Sequence, residues 1–103
     1  MISVIITTHE SERTLVPMLA ALVPGVVAGI VREVIVADAG SRDETEKVAD
    51  VAGCRFIVMP GPLGARLKAA AEAARAPWLM FLRTGTVPNS GWIDETKAPF
   101  RKA

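Results

Sequence analysis

The chain has 103 residues, enough for one domain, and half of them are hydrophobic, which argues against general disorder. A formal charge of +1 gives no electrostatic reason to pair it with nucleic acid or an anionic membrane, and its one cysteine, Cys54, excludes an internal disulfide. No apolar run approaches the ~18 residues of a membrane span, and the start Met1-Ile2-Ser3-Val4 carries no signal-peptide pattern, so the expected location is cytoplasmic.

Four short apolar runs alternate with segments of helical character, the pattern of βαβ units around a parallel sheet. The first strand is Ile2 to Thr7, a β-branched run suited to burial on both faces. A helix follows to about Leu22, with Leu15, Leu19 and Leu22 on one face. It starts either after Thr14, which puts Pro17 at the third helical position, or after Ser11, which predicts a kink. Pro24-Gly25 is expected to end it. The second strand is Glu33 to Ala37. The next helix runs from Ser41 to Ala52, with Val48, Val51 and Ala52 facing inward and Gly53 terminating it. Arg55 to Met59 reads as the third strand, Pro60 to Gly64 as a rigid turn, and Ala65 to Ala74 as an alanine-dense helix that stops before Pro77. Trp78 to Leu82, all apolar, is expected to be a central strand. Beyond Arg83-Thr84-Gly85-Thr86, Val87 to Gly91 reads as a loop and Trp92 to about Lys102 as a last helix interrupted by Pro99.

Right-handed crossovers keep parallel strands pointing one way, so the segments after the four strands share one edge of the sheet. These are Thr8-His9-Glu10, Asp38 to Ser41, Pro60 to Gly64, and Arg83 to Thr86. The richest stretch is Val34 to Thr45. A β-branched run ends in Asp38, passes through small residues, and opens a helix with Ser41 and Glu44 at capping-box spacing. Asp38, at a strand terminus, gains nothing from a helix dipole and reads as ligand-facing. Asp43 and Glu44, in a first helical turn, are explained by the dipole.

The run Asp38-Ala39-Gly40-Ser41-Arg42-Asp43-Glu44-Thr45 resembles the Asp-x-x-Ser-x-Asp-x-Thr signature of the family 2 glycosyltransferases, inverting enzymes with the GT-A fold that use nucleotide sugars. Ser3 to Glu10 is similar to that family's opening strand and Pro-Thr-x-Asn-Glu turn, with Thr8 and Glu10 kept and His9 where Asn is usual. Gly64 to Ala70 resembles its Gly-x-x-x-Asn-x-Gly stretch, with Gly64 kept, Lys68 in place of Asn and Ala70 in place of Gly. After a strand such as Leu79 to Leu82 the family has Asp-x-Asp, whose carboxylates hold a divalent ion. Here those positions are Arg83 and Gly85, neither of which ligates a hard cation.

The resemblance covers about residues 2 to 93 and implies the nucleotide half of the family's domain. The expected fold is an α/β, Rossmann-like three-layer sandwich with a mostly parallel sheet in the order 3-2-1-4, forming a single domain over 1–103. It further implies a nucleotide-diphosphate sugar as partner, with Thr8, His9, Glu10, Asp38, Ser41, Gly64, Lys68 and Arg83 as donor-nucleotide contacts. Neither the family's manganese or magnesium site nor an acceptor-side base is found, so no cofactor is expected and transfer itself stays open.

Blander readings stand beside these. His9 is a nucleotide contact or a solvated loop histidine. Lys68, with Arg66, Glu72 and Arg75, binds phosphate or lines the wet face of a helix, the Glu72 and Arg75 pair adding a few tenths of a kcal/mol. Arg83 grips phosphate oxygens where the lost ion stood, aided by Lys68, or points into solvent. Cys54 reads as a buried, inert strand residue, and Trp78 and Trp92 as core. The alternatives to a glycosyltransferase are an inactive nucleotide-binding or interaction module of the same descent, with self-association covering an exposed face or edge, and a phosphorylated receiver-like domain, for which the acidic cluster and strand-end lysine are missing.

Overall fold

The computed structural model describes residues 1–83 and the backbone of 101–102. In chain order the elements are β1 (Ile2–Thr8), α1 (Glu12–Val27), β2 (Val31–Asp38), α2 (Thr45–Val51), β3 (Arg55–Val58), α3 (Leu63–Ala73), β4 (Trp78–Arg83) and β5 (Arg101–Lys102). The sheet runs β3-β2-β1-β4-β5, the first four strands parallel and β5 antiparallel to β4. The expected order 3-2-1-4 is therefore the observed one.

Strand periodicity divides β1 between two cores. Ile2, Val4 and Ile6 pack with Leu15, Met18 and Leu22 of α1 and Ala49 of α2. Ile5 packs on the opposite face with Ile35, Ala37 and Ala70 of α3. The result is three layers, α1 and α2 on one face and α3 on the other. Full burial of each large aliphatic side chain contributes about 1.5–3 kcal/mol, which makes β1 the most heavily buried strand of the sheet. β4 is flanked on both sides as its apolar run suggests, yet Phe81 is 41% exposed on the α3 face.

Several boundaries differ from the sequence reading. Of the two starts weighed for α1, Ser11 is the N-cap, and the helix continues past Pro24-Gly25 to Val27. Pro17 and Pro24 lie seven residues apart on its exposed face. The carbonyls they leave without donors, four residues back at Arg13 and Ala20, are exposed too, where water can serve them. Gly25, read as a stop, extends the buried stripe Leu15, Met18, Leu22. The true stop is Gly29, at φ +74°, where Gly29 N–H donates to Val26 O and Ile30 N–H to Gly25 O. Gly53 closes α2 in the same way, at φ +78°.

α2 begins at Thr45 rather than Ser41, and its buried residues are Thr45 and Ala49. Val48 is half-buried against the core, but Val51 is 79% exposed and Ala52 is exposed, so two of the three expected inward residues face solvent. Cys54 precedes β3 rather than lying in it and is half-buried; burial pushes its thiol up to about 11. Arg101 and Lys102 form a strand where a helix end was expected, and residues 92–100 of that expected helix, Trp92 included, lie outside the described residues.

At the sheet edge where β1 begins, buried Ser3 donates to Glu33 Oε2 (2.7 Å) and accepts from Ala76 N–H (3.1 Å). Glu33 also accepts from Arg75 N–H (2.5 Å) and from Arg55 (3.0 Å), and Arg55 donates to Ala73 O (2.8 Å) at the end of α3. Burial pushes the Glu33 carboxyl up, but these donors outweigh it and hold the group below its ordinary value. This edge is structural, a polar lock that seats the C-terminus of α3. Arg75 takes part through its backbone, beyond the helix end, and not as the partner of Glu72.

Candidate functional site

The opposite edge carries the signature residues, and they are used first to satisfy one another. Asp38 ends β2 opposite Thr8 and is fully buried. Its Oδ1 accepts from Thr8 Oγ1 (2.6 Å) and Ser41 Oγ (2.6 Å), its Oδ2 from the N–H groups of Gly40 (2.9 Å) and Ser41 (2.6 Å). Burial pushes the carboxyl up, yet these four donors prevail and keep its pKa below the usual 3.8.

Around this centre the β1–α1 and β2–α2 loops exchange hydrogen bonds. Glu10 N–H donates to Ser41 Oγ (2.7 Å), Ser11 N–H to Thr45 Oγ1 (2.9 Å) and Glu12 N–H to Asp43 Oδ2 (3.3 Å). In return the Glu10 carboxylate accepts from the N–H groups of Arg42 (2.9 Å) and Asp43 (3.1 Å). Asp43 accepts from the Thr45 hydroxyl and N–H, which lowers its pKa. Glu10 adopts φ +48°, a left-handed conformation that costs a non-glycine residue about 1–2 kcal/mol and persists because both loops hold it. Ser41 is thus no helix cap. The capping box read from Ser41 and Glu44 does not form, because Ser41 is engaged by Asp38 and Glu10.

The clasp leaves a cleft of about 450 Å³ between the ends of β1 and β4 and the start of α3, lined by Thr7, Thr8, His9, Leu63, Arg66 and Arg83. Thr7 and Arg83 are register partners, which fixes the arginine beside the β1 turn. Arg66 is half-buried; its Nη1 reaches Thr8 O at a long 3.4 Å. Its Nε is the one buried side-chain nitrogen or oxygen among the described residues without a hydrogen-bond partner. Such an orphan is costly and points to a missing acceptor. A larger cleft beside α2 is lined by Asp43, Glu44, Glu46 and Asp50 against a single Lys47, and an α1–α2 groove is almost wholly apolar. Only the first is built for an anion.

The candidates from the sequence therefore separate. Thr8, His9 and Arg83 meet in the cleft; Asp38, Ser41 and Glu10 form the clasp behind it. Counted back from Glu10, the motif's threonine falls at Thr7, which lines the cleft, whereas Thr8 is the one bonded to Asp38. Gly64 lies exposed in the first turn of α3, with open space where a Cβ would stand. Lys68 is exposed and outside the lining. Arg66, read from sequence as part of a wet face, is the residue that reasoning missed. Its i, i+4 spacing to Ala70, buried against the sheet, places it at the edge of the sheet-facing stripe of α3.

Among the described residues no three His, Cys, Asp or Glu side chains converge to hold a metal ion. The strand-end position that carries the first carboxylate of Asp-x-Asp holds a guanidinium instead, and the second, Gly85, lies outside the described residues. Among the described residues the cleft lining offers a divalent cation no carboxylate.

Comparison with known proteins agrees with this fold. Among solved structures, glucosyl-3-phosphoglycerate synthase from Mycobacterium tuberculosis in complex with uridine diphosphate superposes with a TM-score of 0.76 at 27% identity, over 90% of this chain and 37% of that one. The same enzyme with Mn2+ and uridine-diphosphate-glucose gives 0.75 at 28%, over 90% and 36%. A further mycobacterial protein gives 0.75 at 29%, over 90% and 34%. The chain thus spans little more than a third of the length of these structures. Among curated proteins nothing matches. The family described as Glycosyl transferase family 2 matches residues 3–102, nearly the whole sequence, and the chain belongs to that family.

Proposed function

We propose that this chain binds the nucleoside diphosphate of a nucleotide sugar in the cleft formed by Thr7, Thr8, His9, Leu63, Arg66 and Arg83, as the donor-binding half of a family 2 glycosyltransferase. The observation that carries the reading is the coincidence of family and place. An anion-suited cleft lies at the carboxyl edge of the strands, and structures similar over 90% of this chain hold uridine diphosphate or uridine-diphosphate-glucose. In this reading Asp38, Ser41 and Glu10 position the loops that receive the nucleoside, while His9 and the arginines touch the ligand. No helix among the described residues is long and apolar enough to cross a membrane, and we place the chain in the cytoplasm.

Transfer of the sugar needs an acceptor site and a base, and no described residue in the cleft is a carboxylate. Arg83 in place of a metal ligand favours a second reading, a binding module of the same descent that no longer turns over. Thermal unfolding with millimolar uridine, guanosine and adenosine diphosphates tests the binding shared by both. At ~100 times the dissociation constant a ligand adds about 2.7 kcal/mol, and each kcal/mol moves the midpoint by roughly 4–8 °C in a domain near this size. A shift with one of them supports the proposal; none with any refutes it. Release of free sugar or transfer to an added acceptor separates the active from the inactive reading.

A further inference from the structure

Among the described residues the cleft has no lining carboxylate. Its formal charges are the Arg66 and Arg83 guanidinium groups, with the His9 imidazole beside them. The acids closest along the chain are already engaged. The Glu10 carboxylate accepts from the Arg42 and Asp43 N–H groups, and the buried Asp38 carboxylate accepts from four donors. Among the described residues neither carboxylate makes an ion pair or hydrogen bond with Arg66 or Arg83. Arg66 keeps a buried Nε without an acceptor and uses one other nitrogen on a long contact to Thr8 O. A guanidinium presents a planar fork of N–H donors matched to phosphate oxygens, and two of them carry the same formal charge as a divalent cation.

We infer that Arg66 and Arg83 bind the donor's diphosphate directly, so that binding needs no metal ion. The inference rests on reading the cleft as the nucleoside-diphosphate site and deepens it by assigning the diphosphate contacts. Arg83 stands where the family has a metal-ligating carboxylate, and Arg66 reaches in from the first turns of α3. The second cation is Arg66 and not Lys68. Two positions apart on a helix, the two point about 200° from each other, and Lys68 faces solvent.

The test is isothermal titration of uridine diphosphate and of inorganic pyrophosphate into the 103-residue chain, in EDTA and again with excess Mn2+. It compares wild type with Arg66→Gln, Arg83→Gln, Arg66→Lys and Arg83→Lys. Both ligands bind wild type in EDTA, Mn2+ adds nothing, each Gln variant loses at least about tenfold for both ligands, and each Lys variant recovers part of the loss. Urea midpoints of the variants, together with the Lys pair, separate lost binding from lost fold. Binding of uridine diphosphate that requires Mn2+, or unchanged affinity in either Gln variant, overturns the inference while leaving the donor-site reading standing. Arginine-dependent, metal-free binding in which uridine diphosphate is no tighter than pyrophosphate supports the inference and removes the nucleoside from the proposed function.

Discussion

Replacing Asp38 by alanine tests whether this acid organises the site or merely faces a ligand. The change removes the acceptor of four hydrogen bonds at once. Those donors are not equivalent. Thr8 is 2% exposed, so its hydroxyl loses a charged acceptor with no water to replace it, a loss of about 1.5–3 kcal/mol. Gly40 and Ser41 sit at a partly open turn, where water recovers much of the difference. Ser41 also ceases to be held as the acceptor for Glu10 N–H, which loosens the left-handed turn. Summed with that discount, Asp38→Ala costs about 3–5 kcal/mol, since it removes hydrogen bonds to a charged acceptor and leaves a buried donor unsatisfied. At roughly 4–8 °C per kcal/mol the melting point falls by at least about 12 °C. Urea unfolding followed by far-ultraviolet circular dichroism measures the change. In a double-mutant cycle, Thr8→Val costs markedly less in the Asp38→Ala background than in wild type, because the shared bond is already gone. A loss under about 1 kcal/mol together with abolished nucleotide binding would refute the reasoning and return Asp38 to the role of a ligand contact.

Other expectations follow from the same geometry. Glu33, Asp38 and Asp43 have folded pKa values below their ordinary 4.5, 3.8 and 3.8, so the stability they contribute is present above those values and lost as pH falls through the depressed ones. Urea midpoints therefore fall steeply below about pH 4, and Asp38→Asn flattens that fall; an undiminished slope in the variant contradicts the assignment. Ala49→Asp places a charge in the core under α1 and prevents cooperative unfolding, whereas Val51→Asp, at a position 79% exposed, changes stability by no more than about 0.5 kcal/mol. Equal effects at the two sites would reverse the orientation of α2. Cys54, with its thiol at about 11, alkylates slowly in the native state at pH 8 and at the rate of a free thiol once unfolded. Rapid native labelling would mean the thiol is not buried as described.

How much of this was legible in the sequence follows from what kind of signal each part leaves. The four parallel strands and their order were, because β-branched runs and strand-end polar residues are local, and right-handed crossovers constrain the rest. The extent of α1 was not. Pro24-Gly25 carries a strong stop signal, and only the continued 3-and-4 spacing of Leu15, Met18, Leu22 and Gly25 shows that the prolines sit harmlessly on the wet face. The start of α2 was misplaced for a different reason. Ser41 and Glu44 have capping-box spacing, but Ser41 is captured by Asp38, three residues earlier, in a competing local turn, and by Glu10 N–H, thirty-one residues earlier, a pairing no local rule reports. The site divides in the same way. Asp38 and Arg83 were visible because they end strands, while Arg66 was read as wet because its charge outweighed its i, i+4 spacing to Ala70, which the structure buries.

The most direct test of the central claim is a titration of uridine diphosphate into the isotopically labelled chain, followed by backbone amide and arginine side-chain NMR. If the cleft is the donor site, the shifts concentrate at residues 7–9 and 63–66, with the largest at Arg83 and the Arg66 Nε–H, while the Asp38 clasp keeps its hydrogen-bonded amides at Gly40 and Ser41. Shifts gathered instead along the acidic cleft at Glu46, Lys47 and Asp50, or spread without saturation over the whole chain, would contradict it.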